Sequence, residues 1–141
     1  MNITAEILNK ILALPSSTSW SADAPDGITL TKAQQLAIQP LLDNGVAEVI
    51  DADAVKAEAS RRILALIPAH KQVNALARSS ELLEIIASGG TLTAEEEADR
   101  QAAKAVWAVV SAIRAASNAI EAQPLPSDYL ELIEAFDVAL A

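Results

Sequence analysis

The 141-residue chain is 52% hydrophobic but only 3% aromatic, has no cysteine and carries a formal net charge of −9. That length suits one domain, or a small domain with an arm, and the missing cysteines exclude disulfides and thiolate metal sites. The acidic balance argues against nucleic acid and anionic membranes as partners, because neutralisation of phosphates by Lys and Arg drives most such affinity.

Much of the apolar fraction is alanine, which favours helix but buries little area. The expected core is therefore thin, and a thin helical core gains burial from a partner or from self-association. The opening Met1-Asn2-Ile3-Thr4-Ala5-Glu6 lacks a basic segment, and the apolar run behind it is broken by Asn9 and Lys10, so no secretory signal is expected. No stretch approaches the ~18 consecutive apolar residues of a membrane span. The expectation is a soluble protein made in a cytoplasm.

A first helix is predicted from Thr4 to Leu14, with Ile3, Ile7, Leu8, Ile11, Leu12 and Leu14 on one stripe, Thr4 as its cap and Pro15 as its stop. Residues 15–30 read as a loop, rich in Ser, Thr, Asp, Pro and Gly. Trp20 within it either pins the loop to the core or inserts into a partner; the intramolecular anchor is the favoured reading. A second helix opens at Thr31, where Thr31-Lys32-Ala33-Gln34 fits a capping box, is weakened or kinked at Pro40, and ends at Asn44-Gly45. Val46 to Ile50 reads as a short strand or an extended connector.

The third helix begins near Asp51 or Asp53, acidic groups suited to a helix N-terminus, and lines one face with Val55, Ala59, Ile63, Leu66 and Ile67. Pro68 either breaks it, with a restart, or kinks it. The following helix, about 69–88, is expected to turn Val73, Leu76, Leu83, Ile86 and Ala87 inward, and Gly89-Gly90 stops it. Thr93-Ala94-Glu95-Glu96 is a second capping box. It opens the longest helix, about 94–122, in which Ala103, Val106, Val110, Ile113, Ser117 and Ile120 keep alternating three- and four-residue steps. The short connection predicts an antiparallel helical hairpin.

Pro124-Leu125-Pro126 stiffens a link. Ser127 is read as the cap of a last helix from Asp128 to Leu140, whose stripe is Tyr129, Leu130, Ile133, Phe136 and Leu140 and whose charges are all negative. A helix this short is marginal alone and must dock on this chain or on another. The predicted organisation is N-terminal helices and loop over 1–50 (a docking arm, or part of the same domain), a hairpin core over 51–123 and an acidic C-terminal helix over 124–141. The fold class is all-α.

No constellation of residues carries catalysis. His70 is the single histidine, with no acidic residue within four positions, and reads as a surface or interface residue. Glu95, Glu96, Glu97 and Asp99 occupy near-consecutive helical positions that do not converge on a cation. Asp51 and Asp53 lack the glycine and distal glutamate of a calcium loop, and no phosphate loop, nucleophile elbow or zinc spacing is present. No enzyme activity, cofactor or metal is expected. Arg61, Arg62, Lys71 and Arg78 are interleaved with Glu58, Glu81 and Glu84 and read as a mixed solvated face. Gln72, Asn74 and Arg78 on one hairpin arm, and Arg114, Ser117 and Asn118 on the other, either set the register of the pair or face solvent; Trp107 is a core or interface anchor.

Arg62-Ile63-Leu64, Pro68, Lys71-Gln72, Asn74 and Ala77-Arg78, followed by Trp107 and then Ile113-Arg114-Ala115-Ala116-Ser117-Asn118 and Ile120-Glu121, resemble a recurring bacteriophage and prophage pattern. The pattern spans roughly Ala59 to Gln123. His70 departs from it, standing where an aromatic residue is expected before Lys71. The resemblance implies a small product of a phage structural region, near tail and tail-fibre functions: a virion structural or adaptor protein made in the host cytoplasm. Its implied partners are other phage structural proteins, in an oligomer or complex, with neither nucleic acid nor membrane. A tail or fibre assembly chaperone that does not stay in the particle is the alternative, and a small regulator of a host enzyme is a third class. In this reading Trp20, Tyr129, Leu130, Ile133 and Phe136 are the candidate docking residues.

Overall fold

A computed structural model of the chain describes residues 4–141; Ile3, placed above on the first apolar stripe, lies outside the described residues. The fold is all-α: α1 (Ala5–Ile11), α2 (Lys32–Asn44), α3 (Ala52–Leu66), α4 (Ala69–Ala87), α5 (Ala94–Glu121) and α6 (Tyr129–Leu140). A two-stranded antiparallel ribbon, β1 (Trp20–Ser21) and β2 (Ala24–Pro25), is the exception, with Trp20 opposite Pro25. It forms in the stretch read as loop, whereas residues 46–50, read as a strand or connector, take no regular structure.

The helix ends follow local chemistry. Thr4 Oγ1 accepts from the Ile7 amide and caps α1, and α1 closes one turn earlier than expected because Ala13 takes a left-handed conformation (φ 54°). The amide of Leu14 then donates back to the Asn9 carbonyl at 2.9 Å, satisfying a helix-end acceptor. Both capping boxes form: Thr31 with Gln34 around α2, and Thr93 with Glu96 around α5. Asp51 accepts from the Ala54 amide at the head of α3. Pro40 lies inside α2, and Pro68 sits at a break, as the N-cap of α4. The cap of α6 is Asp128 rather than Ser127, whose amide and hydroxyl both donate to the Glu131 carboxylate.

The chain forms two compact units. The first comprises residues 1–66 and 113–141, and the second comprises residues 67–112. These boundaries differ from the expected division at 50 and 123. The N-terminal helices belong with α3 and α6 rather than forming a separate arm, and α5 has residues in both units. In the first unit α1 packs on α2 and α6, and α2 packs along α3. Leu8, Leu12, Ile38 and Leu42 form one core cluster, with Ile11, Leu14, Trp20 and Leu30 against it. Val55, Ala59 and Ile63 of α3, Ile113, Ala116 and Ile120 of α5, and Leu132, Ile133 and Phe136 of α6 are also buried. In the second unit α4 buries one large side chain, Leu82.

Candidate functional site

The first unit is organised around a buried carboxylate. Glu58 falls on the same helical face as Val55, Ala59 and Arg62, since positions three and four apart are neighbours on a helix, and it is 1% exposed. Arg61 grips it with two bonds, Nε to Oε2 at 2.8 Å and Nη2 to Oε1 at 2.6 Å. Arg62 Nε donates to Oε1 at 2.8 Å, and the Tyr129 hydroxyl donates to Oε2 from α6. The arginines then reach outward to other elements. Arg61 Nη1 donates to the Ala37 carbonyl of α2, while Arg62 donates to the Ile133 carbonyl and to Asp137 of α6 and stacks over the Phe136 ring at 5.0 Å. One carboxylate thus fastens three helices.

Burial alone pushes the Glu58 carboxyl up, but the Arg61 guanidinium, with help from Tyr129 and Arg62, holds it below the ordinary carboxylate value. Tyr129 is pushed up by burial and by the adjacent Glu58 charge. Both shifts keep one protonation state, an anionic Glu58 beside a neutral phenol. Among the described residues no buried side-chain nitrogen or oxygen lacks a partner, so the network is a closed structural lock with its hydrogen-bonding capacity spent. The adjoining cavity, lined by Pro40, Asn44, Ala54, Ala57 and Tyr129, holds about 170 Å³, below the ~300 Å³ at which small-molecule pockets begin. A more open groove of about 450 Å³ runs between the end of α5 and α6, past Ala119, Gln123, Glu131, Glu134 and Val138. It has no convergent set of donors.

The expected docking residues resolve differently. Trp20 is an intramolecular anchor: it is half-buried against the Leu8 cluster, and its Nε1 donates to Asn9 Oδ1 at 2.7 Å. The buried Asn9 amide in turn donates to the Ser16 and Thr18 carbonyls, tying the loop to α1. Tyr129, Ile133 and Phe136 are buried in this chain's own core and Leu130 is half-buried. The assignment of these residues to a partner surface is therefore corrected. α6 is marginal alone, and it docks on its own chain.

The hairpin residues differ in their surroundings. Gln72 donates to the Ile67 carbonyl and closes the break at Pro68. Asn74, Arg114 and Asn118 are exposed, in line with the solvent-facing alternative. Of these residues it is Arg78 that bridges α4 and α5, donating to Asp99 at 2.9 Å, with a second ion pair to Glu81. Trp107 is half-buried and lines a shallow cleft with Ser79, Leu82, Leu83, Ile86, Arg100 and Lys104.

The inward face of α4 is also not the expected one. Val73, Leu76, Leu83 and Ile86 are 64%, 57%, 61% and 42% exposed, and Ala87 is exposed as well. Leu82 is buried, and Ala75, Ser79 and Ile85 are partly covered. The helix carries two apolar stripes, and periodicity alone does not say which one turns inward. On α5, Ala103, Val110, Ile113, Ser117 and Ile120 are buried and Val106 is half-buried.

No protein-family model matches the chain, and no curated protein or solved structure matches it.

Among the described residues, no group of three or more His, Asp or Glu side chains is placed to hold a metal ion, and no helix is long and apolar enough to cross a membrane. His70 is exposed on α4. The acidic run at the head of α5 is spent locally: Glu96 in its capping box, Glu97 on Gln101 and Arg100, and Asp99 on Arg78. What the sequence reading missed is the Glu58 lock, taken there for part of a solvated charged face. The signal was available: Glu58 shares the stripe of Val55 and Ala59, with an arginine four residues later on the same stripe.

The feature with capacity for contact is the outward face of α4. It is an apolar strip on a helix whose charges, Lys71, Arg78, Glu81 and Glu84, balance to zero, within a chain of net charge −9. Large exposed apolar strips on a helix are characteristic of protein docking.

Proposed function

We infer that this chain is a non-enzymatic structural or adaptor protein of a bacteriophage particle, associated with the tail or its fibres and working through protein–protein contacts. The observation that carries a docking role is the outward strip Val73, Leu76 and Leu83 of α4, each more than half exposed. The assignment to a phage particle comes from the resemblance of the Arg62–Arg78 run and of the Trp107–Glu121 segment to the phage structural-region pattern. Support also comes from the division of labour in the chain. The Glu58 lock makes the first unit self-sufficient, whereas α4 leaves on its surface the apolar side chains that a stand-alone helix buries.

The test is quantitative mass spectrometry of purified particles from a phage that encodes this chain. Stoichiometric recovery at a fixed copy number per particle is the expected result. Recovery from assembly intermediates but not from finished particles replaces this reading with that of a transient assembly chaperone, and recovery from neither overturns both.

A further inference from the structure

We propose that the outward face of α4 is a self-association seam through which two copies of this chain pack as an antiparallel helix pair. Ala69, Val73, Leu76, Ser80, Leu83 and Ala87 follow one another at alternating four- and three-residue steps, and all six are exposed. That spacing is the seam of a coiled coil, in which side chains of one helix seat between those of the next.

The seam selects a second copy because it is complementary to itself. Laid antiparallel about the level of Arg78, Ala69 of one copy meets Ala87 of the other, Val73 meets Leu83, and Leu76 meets Ser80. Each layer then repeats in reverse. The flanks agree with this order. Ala77, exposed beside the seam, is small enough to let the helices approach. His70 falls opposite Glu84 on both sides, where an imidazole N–H donates to the carboxylate. A parallel pairing stacks Ser80 on Ser80 and brings His70 to no carboxylate.

Charge points the same way. Two copies of a chain at −9 repel over most of their surface. On α4 the two basic residues, Lys71 and Arg78, offset the two acidic ones, Glu81 and Glu84. The neutral helix is therefore where a second copy approaches with least repulsion. At ~1.5 Å per residue the 19-residue helix is about 28 Å long. A seam of that length falls at the small end of specific interfaces, near ~1,000 Å², so a weak, reversible association is expected. This inference does not depend on the particle assignment.

The test is sedimentation velocity of the full chain across the micromolar range, with disulfide trapping on the naturally cysteine-free background. The expected result is a reversible dimer weakened roughly 30-fold or more by Leu83→Glu, with an unchanged helical circular-dichroism signal because the site is exposed. Val73→Cys and Leu83→Cys, oxidised together, are expected to give the mixed disulfide, while neither variant cross-links to itself. A monomer up to high micromolar concentration overturns the proposal and leaves the strip to an unrelated partner. A dimer indifferent to Leu83→Glu overturns it as well. Self-cross-linking of Val73→Cys overturns the antiparallel order.

Discussion

Two arginines show how differently the two units of this chain use charge. Arg61, in the first unit, is 7% exposed and holds a fully buried Glu58 with two short bonds. Arg78, in the second, pairs with Asp99 and Glu81 while its side chain stays 37% exposed. By bond geometry alone the two look alike. Their energetics are not, because a buried charge that loses its partner keeps the desolvation penalty, whereas an exposed one returns to water. The same contrast extends to apolar residues. The first unit hides Phe136, Leu132 and Ile38, and the second displays Val73, Leu76 and Leu83.

The largest effect is expected at the centre of the lock. Glu58→Ala leaves Arg61 buried without its anion and loosens α2, α3 and α6 together, destabilising the chain by about 3–5 kcal/mol in chemical denaturation. A loss under 1 kcal/mol would place the network at the solvated surface. Tyr129→Phe is next. It removes one charge-assisted bond to Glu58 while keeping the ring packed, and a loss of about 1.5–3 kcal/mol is expected in the same assay.

The pH profile sharpens the contrast at intermediate scale. Glu58 has its folded value held below the ordinary 4.5, so its contribution is complete above that value and is lost as the pH falls through the lowered one. Tyr129 has its folded value raised above the ordinary 10.0, so its contribution is complete below 10.0 and is lost as the solution becomes more alkaline. Thermal melts across pH are expected to show a plateau between these limits. The acid limb should flatten in Glu58→Gln and the alkaline limb in Tyr129→Phe. Limbs unchanged in both variants would assign the pH dependence to other groups.

The smallest effects are expected in the second unit. Asp99→Ala breaks the exposed pair with Arg78 and is expected to shift the denaturation midpoint only marginally, less in high salt. A loss comparable to that of Glu58→Ala would erase the distinction between the two units.

The helix boundaries were legible because they rest on short-range chemistry. Thr31 with Gln34 and Thr93 with Glu96 satisfy free amides within a single turn, Gly45 takes a positive φ at a helix end, and Pro68 lacks the amide a continuing helix needs. The stripe on α5 was legible because one face carries most of its apolar residues. The face of α4 was misread because that helix has two apolar stripes, and the choice between them rests on Leu82 and on the Arg78–Asp99 pair, contacts made with another helix. Glu58 was misread because charge in sequence implies water. Only the approach of Tyr129 from 71 residues away, and the reach of Arg61 to α2, remove it from solvent.

The sequence by itself therefore determined the fold class, most of the helix starts, and the absence of disulfide chemistry, all properties of neighbouring residues or of composition. Tertiary structure alone decided that Trp20, Tyr129 and Phe136 serve this chain's own core, that a charged stripe closes into a buried lock, and that α4 turns an apolar strip outward. Those outcomes depend on which distant surfaces meet, and the energy of a charge or a methyl group is set by what surrounds it rather than by its place in the chain.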